Sequence, residues 1–540
     1  MTGRTLRHLV LLSVMLTGMA AEGRAALPAG FSDTLITNVG LPTAIAFTPD
    51  GRILITTQGG TLRVWAGTLL PTPALTLSIC SGSERGLLGV AVDPSFATNR
   101  RIYLFYTANT CVNRVSRFTF FSTPGQENQV DPASELILVD NMPSPAGNHN
   151  AGDVHIGKDG YLYISIGDGG CDYANNSGCA GANDASRDQH ELTGKILRIT
   201  LDGNIPPTNP FQGPGTARCN VTGGTTAGNK CQETFAWGFR NPFRFAMDPN
   251  AGGTRFFIND VGQGAWEEID EAQAGADYGW NCREGAHTNS TTGPCSPTPP
   301  GMVDPIFEYA HGTTVPGTSV SSCNSITGGA FVPNGLWPGF DGSYLFSDFI
   351  CGAIFKLTQA GTWSASDFAT GLGGSSAVHL NFGPWGTTQA LYYTTYAGGG
   401  QVRRISRRVP RPAGPLDFHT TSPCRVVDTR TASGMQGGPA LAAGATGTRT
   451  FQVAGLCGVP ATASAVELNV TVVSPSTGGF LRIEGGDDSA AGTSALDFAA
   501  GAVRSNNAVA RLGTAGDLAV TASMPSGTAH VVIDVTGYFQ

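Results

Sequence analysis

The feature that most limits what this chain can become is a hairpin pattern written six times. A short apolar strand, a turn rich in Pro, Asp and Gly, and a second alternating strand recur along the chain. The copies are PTAIAFTPDGRILITT (42–57), GLLGVAVDPSFATNRRIYLFYT (86–107), NAGDVHIGKDGYLYISIGD (150–168), NPFRFAMDPNAGGTRFFINDV (241–261), ITGGAFVPNGLWPGFDGSYLFSD (326–348) and VHLNFGPWGTTQALYYTTY (378–396). A lone hairpin leaves unpaired edges and an open apolar face, so repeated copies must bury one another. Closing strands follow several copies: TLRVW (61–65), GKILRIT (194–200), GAIFKLT (352–358) and GQVRRIS (400–406). A sandwich is the competing arrangement. Six copies with long inserted loops instead predict an all-β six-bladed β-propeller over residues 27–408.

After the proline-rich basic stretch RRVPRPAGP (407–415), of which 409–415 reads as a linker, small residues dominate. The strands AVELNVTVV (465–473), GFLRIEG (479–485), DLAVTAS (517–523) and AHVVIDVTGYF (529–539) predict a small β-sandwich over 416–540. It holds no cluster of His with carboxylates and is expected to serve attachment or stability.

Residues 1–26 begin with Arg4 and Arg7, continue with an apolar run from Leu9 to about Met19 and end in small residues, the layout of a secretory signal peptide. The run is shorter than the roughly 20 residues of a bilayer span, so export to the periplasm or medium is expected, with no membrane span after cleavage. All twelve cysteines lie beyond it in close sequential pairs: Cys80 and Cys111, Cys171 and Cys179, Cys219 and Cys231, Cys282 and Cys295, Cys323 and Cys351, Cys424 and Cys457. An even count in an exported chain reads as disulfides, and the absence of any C-x-x-C spacing argues against zinc. A net charge of −8 without a basic run argues against a nucleic-acid partner.

The stretch NHNAGDVHIGKDGYLYISIGDGG (148–170) carries the clearest chemistry. A turn at Lys158 and Asp159 sets His149 opposite Asp168 and His155 opposite Leu162. Opposed side chains have Cβ atoms roughly 4.5–5.5 Å apart, so the carboxylate reaches the imidazole and makes it a candidate general base. The alternative is a pair of turn residues at the open end of a hairpin. Arg240 precedes an Asn-Pro step, where the chain is irregular and a guanidinium is free to cross a pore mouth. Arg244 alternates with Phe243 and Phe245 and reads as a strand residue. In INDVGQGAWEEIDEA (258–272) carbonyls and carboxylates offer oxygens to a hard cation such as calcium, although the spacing fits no twelve-residue calcium loop.

Together, ERGLLGVAVDPSF (84–96), the 148–170 stretch, LTGKILRITLDG (192–203), WGFRNP (237–242), DVGQGAWEEID (260–270) and SITGGAFV (325–332) resemble the glucose/sorbosone dehydrogenase family, in order over about residues 30–406. That family contains soluble aldose dehydrogenases dependent on pyrroloquinoline quinone (PQQ). The resemblance implies a six-bladed propeller with PQQ across the axial opening and calcium beneath it. It implies a sugar or polyol substrate and an external electron acceptor. It makes His149 the base, Asp168 its orienting partner, and Arg240 with Asn241 the contacts to the quinone carbonyls. Glu84 takes a polar cofactor-site position, and the carbonyls of Gly262 and Gln263 match the stretch that holds the metal. The chain departs from the best-known enzymes where Pro333 and Cys351 stand at positions matched to basic residues that pair with PQQ carboxylates. Arg403 is a candidate to replace them. The alternative is a non-catalytic propeller that binds carbohydrate or protein.

Overall fold

The computed structural model describes residues 26–170, 185–386, 388–407, 415–431, 434–444, 448–486 and 494–540. The expected signal peptide, the pair Cys171 and Cys179 and most of the expected linker lie outside them. Within them the chain is all-β. Six four-stranded antiparallel sheets succeed one another. Their innermost strands are Pro42–Phe47, Leu87–Val92, Val154–Ile156, Pro242–Met247, Ile326–Phe331 and His379–Trp385.

Each sheet packs against the next, and the sixth packs against the first. The alternation of apolar residues explains the ring. Successive side chains on a strand point to opposite faces, so a sheet apolar on both faces feeds two cores. Leu54 enters the cluster between the first and second sheets, whereas Ile53 and Ile55 enter the cluster between the first and sixth. Four further clusters fill the remaining gaps, centred on Leu88 and Leu162, Tyr163 and Phe245, Phe257 and Tyr344, and Leu345 and Leu391. The outer strand of the sixth sheet is Phe31–Asn38, which pairs with Gln401–Arg407 and ties the beginning of the ring to its end.

All six hairpins form where the sequence places them, as do the four closing strands. The third strand of the second sheet, Asn113–Phe120, and the outer strands were not legible, because they are short or interrupted by polar residues. Five of the sequential cysteine pairs are disulfides: Cys80–Cys111, Cys219–Cys231, Cys282–Cys295, Cys323–Cys351 and Cys424–Cys457.

Beyond Leu416 two further sheets enclose one apolar cluster that includes Phe451, Leu468, Val520 and Ile533. Their principal strands include Ala465–Val473, Gly479–Gly485, Asp517–Ser523 and Thr528–Phe539. Ala515 joins the cluster between the sixth and first sheets of the ring, so the two parts share apolar contact.

In four sheets the innermost strand bulges near its start, between Pro42 and Ala44, Leu87 and Gly89, Pro242 and Arg244, and Ile326 and Gly329. A bulge leaves a residue out of the ladder and re-aims it. Thr43, Leu88, Phe243 and Thr327 are the residues so released, and all four line one cavity on the ring axis.

Candidate functional site

That cavity, about 460 Å³, opens at the starts of the inner strands. His149, Glu84, Arg240, Asn241 and Gly262 also line it. His149 and Asp168 are both buried, and Nδ1 of His149 lies 2.7 Å from Oδ1 of Asp168. The expected pair therefore forms, but the register that suggested it is off by one. His155 opposes Tyr163, not Leu162. The turn holds three residues, with Gly160 in the left-handed region at φ 79°, which adds one residue to the assumed two-residue turn. The strand starts only at Val154. Before it the chain passes through His149 at φ 50° and Ala151 at φ 49°, and this irregular backbone returns the imidazole to Asp168.

Two side chains, Glu84 and Asn241, hold that backbone in place. The His149 N–H donates to Oε2 of Glu84 at 2.7 Å, and Nδ2 of Asn241 donates to the same oxygen at 3.2 Å. The Ala151 N–H donates to Oδ1 of Asn241 at 3.1 Å. Asp260 in turn accepts the N–H groups of Arg240 at 2.9 Å and Asn241 at 2.6 Å. Asp168 accepts from Nε1 of Trp280 at 2.9 Å and from the Gly170 N–H at 2.8 Å. Burial by itself pushes the Asp168 carboxyl up. The His149 and Arg240 charges and the Gly170 N–H outweigh it and hold Asp168 below the ordinary carboxylate value. Asp260 shows the opposite balance: burial dominates and pushes it up to about 7, despite the two N–H donors.

Arg240 donates from Nη1 to the Val261 carbonyl at 2.9 Å and lies 5.5 Å from the Trp280 ring, while its buried Nε has no hydrogen-bond partner. Arg244 was read from the sequence only as a strand residue. It lines the cavity, is buried, and donates from Nη2 to the Thr43 carbonyl at 2.9 Å. The bulge at the start of its strand is what turns it to the axis, and no periodicity announces it. Pro333 does not line this cavity. It borders a second hollow at the far ends of the inner strands, so its lack of charge is irrelevant here. Cys351 is half-buried and fixed to Cys323, and its neighbours Phe349 and Ile350 form an apolar part of the wall. Arg403 does not compensate. It pairs with Asp33 at 2.9 Å and borders another hollow on the sixth sheet.

Gly262 admits no side chain, since a Cβ there would lie 1.7 Å from the Trp266 carbonyl oxygen. The next four N–H groups, of Gln263, Gly264, Ala265 and Trp266, converge on Oε1 of Glu284 at 2.7–3.2 Å. Close by in sequence, Glu268 and Asp270 alternate on the strand Trp266–Glu271 and are both buried. Among the described residues, Oε2 of Glu268 and both carboxylate oxygens of Asp270 have no donor; burial pushes both groups well up, aided by the charges of Asp270 and Asp260 on Glu268 and of Asp260 and Glu308 on Asp270. The alternation of this acidic stretch places two buried carboxylates two residues apart on one face of the strand.

Comparison with known proteins now decides the family. Residues 39–354 match the family model "Glucose / Sorbosone dehydrogenase", more than half of the chain. The chain belongs to this family. Its aligned portion is 32% identical over 256 residues to aldose sugar dehydrogenase YliI of Escherichia coli, covering 44% of this chain and 58% of the relative. It is 26% identical over 382 residues to the HIPL2 protein of Arabidopsis thaliana, covering 58% of this chain and 51% of the relative. The chain thus spans about half the length of these curated relatives. The fold is similar to the PQQ-bound form of aldose sugar dehydrogenase from Streptomyces coelicolor, with TM-score 0.51 and 23% identity over 71% of this chain and 99% of that one. The ring is accordingly a β-propeller of this family. Among the described residues no helix is long and apolar enough to cross a membrane.

The residues present fit the groups that the family implies. A planar anionic cofactor would meet Arg240, with its buried, unused Nε–H, and Arg244 in the cavity wall. For a hard cation, the described residues offer oxygens without donors at Oε1 of Gln263 and, on the strand Trp266–Glu271, at Glu268 and Asp270.

Proposed function

We propose that this chain is a secreted PQQ-dependent oxidoreductase that oxidises aldose sugars or related polyols, with His149 as the general base. In this reading residues 27–408 form a six-bladed propeller, 409–415 a linker and 416–540 a β-sandwich accessory domain. The observation that carries the reading is the buried 2.7 Å contact from Asp168 to His149, which lines an axial cavity together with Arg240.

Asp168 accepts the Nδ1 proton, which leaves Nε2 of His149 as the ring's acceptor. Held below its ordinary pKa, Asp168 stays ionised and stabilises the imidazolium that forms when Nε2 takes the proton of a sugar hydroxyl. When bound, PQQ supplies the quinone that accepts the hydride leaving the same carbon. Arg240 provides positive charge toward that anionic group. Glu84 and Asn241, also in the wall, keep the His149–Ala151 backbone in place and complete the cofactor pocket. Gly262 and Gln263 are the proposed metal contacts beside the cofactor, and the buried carboxylates of Glu268 and Asp270 suit a calcium ion that neutralises them. An external electron acceptor is the proposed second partner of this chemistry.

The test is to add PQQ and Ca²⁺ to purified protein and follow dye reduction over a panel of sugars. Turnover should appear with PQQ and fall by roughly 10²–10⁴ in His149→Ala with the fold intact. No quinone binding and no turnover would refute the reading. The apolar wall at Phe349 and Ile350 favours the alternative, a non-catalytic carbohydrate- or protein-binding propeller. Sugar binding that is indifferent to PQQ would establish it.

A further inference from the structure

On the same axis, beyond Arg244, lies a cluster that the proposed chemistry does not use. Asp153 and His155 stand at the start of the inner strand of the third sheet, and His379 begins the inner strand of the sixth. In a ring of six these two sheets face each other across the axis. Nε2 of His155 lies 3.1 Å from Oδ2 of Asp153, and Nε2 of His379 lies 3.9 Å from Oδ1 of the same carboxylate. One ligand atom from each of the three residues lies within 4.8 Å of the others. Among the described residues, Nδ1 of His379, a buried residue, has no hydrogen-bond partner.

We propose that Asp153, His155 and His379 bind a divalent first-row transition metal, tying opposite inner strands together across the axis. The donor set decides the class of ion. Two imidazoles and one carboxylate suit Zn²⁺ and its neighbours, whereas Ca²⁺ prefers oxygens alone. The dimensions set how far the rings must move. An ion about 2.1 Å from each ring nitrogen sits roughly 3.2 Å from each ring centroid, so at a tetrahedral angle two imidazoles on one ion have centroids about 5.2 Å apart. The rings of His155 and His379 are parallel within 5° with centroids 6.5 Å apart, and closing on the ion takes about 1.3 Å, shared between the two side chains. The hollow of about 190 Å³ at the far ends of the inner strands reaches His155 and includes Asn381 and Gln389, which gives the ion an entry path and room for water in its open positions.

Charge and support are compatible with this. Asp153 is anchored by the Phe245 N–H at 3.0 Å, so its carboxylate is already positioned. Arg244 balances the Asp153 charge in the metal-free protein, and its guanidinium is held away from the carboxylate by the Thr43 and Phe243 carbonyls at 2.9 and 2.8 Å. Among the described residues the other histidine-containing group of this kind is Asp188, His190 and Glu191, half-buried in a surface loop, which serves as the control.

Chelator-treated full-length protein, in excess Ca²⁺ to fill oxygen sites, is titrated with Zn²⁺ by calorimetry and with Co²⁺ by visible absorption. One site per chain is expected, with a rise in Tm. His155→Gln and His379→Gln should each weaken it at least tenfold, and His190→Gln should leave it unchanged. His149→Ala should also retain it, so failure of the proposed oxidoreductase activity leaves this result untouched. No binding, or binding lost only in His190→Gln, would overturn the proposal. Should His379→Gln fail to fold, the half-exposed His155→Gln decides the matter alone: undiminished affinity there refutes the site.

Discussion

Asp168 and Asp270 are both buried aspartates of the same ring, yet their carboxyls are driven in opposite directions. Asp168 has His149, the Trp280 indole, the Gly170 N–H and the nearby Arg240 charge. Asp270 has no hydrogen-bond donor and feels the charges of Asp260 and Glu308. Burial penalises a charge equally in both places, so partners decide whether it persists. One region keeps its carboxylate charged with partners from the protein, and the other drives its carboxyls toward the neutral form.

The largest test of that contrast is Asp168→Asn. It keeps the shape but removes the carboxylate that fixes the imidazole, so kcat should fall by about 10³-fold or more, with cofactor binding retained in a quinone absorbance titration. Unchanged kcat would show that His149 is oriented by something else. Arg240→Lys keeps the charge but loses the planar fork, and should weaken PQQ binding roughly 10–100-fold in the same titration.

On the acidic side the sign of the pH dependence is the discriminating quantity. Asp260 has its folded pKa raised from 3.8 to about 7, so its stabilising contribution is full below about pH 3.8 and lost as pH rises through about 7. Glu268 and Asp270 are raised in the same direction. The Tm of chelator-treated protein should therefore fall between about pH 4 and 7, and Ca²⁺ should remove the fall by favouring the ionised forms. Asp168, held low, works oppositely: its contribution is present above the ordinary carboxylate range and lost as pH falls below it. The smallest expected effect is that of Asp270→Asn. It should stabilise the metal-free protein by about 1–3 kcal/mol in chemical denaturation and abolish the response to Ca²⁺. A destabilised variant that still responds to Ca²⁺ would place the cation elsewhere.

Much of the ring was legible because its signal is local. The alternation in PTAIAFTPDGRILITT and its five counterparts dictates strands, and apolar residues on both faces dictate burial on both sides. The His149–Asp168 contact was also legible, though through an assumed register that Gly160 shifts by one. The outer strand Phe31–Asn38 was not, since its partner lies at the other end of the ring. Asn241 entered through the family resemblance, but the bridge its amide makes from Glu84 to Ala151 across three parts of the chain was not legible. Pro333 and Arg403 looked relevant by position in the sequence, and both lie away from the cavity.

By itself the sequence determined the strand pattern, the sequential disulfides and a histidine within reach of an aspartate, because each depends on neighbours along the chain. The tertiary structure alone decided which residues face the axis. Bulges release Thr43, Leu88, Phe243 and Thr327, Arg244 turns inward beside them, and ring closure brings His379 to Asp153. The physical reason is that a bulge and a ring closure fix direction and distance between segments far apart in the chain, while periodicity fixes only which face of its own strand a residue occupies.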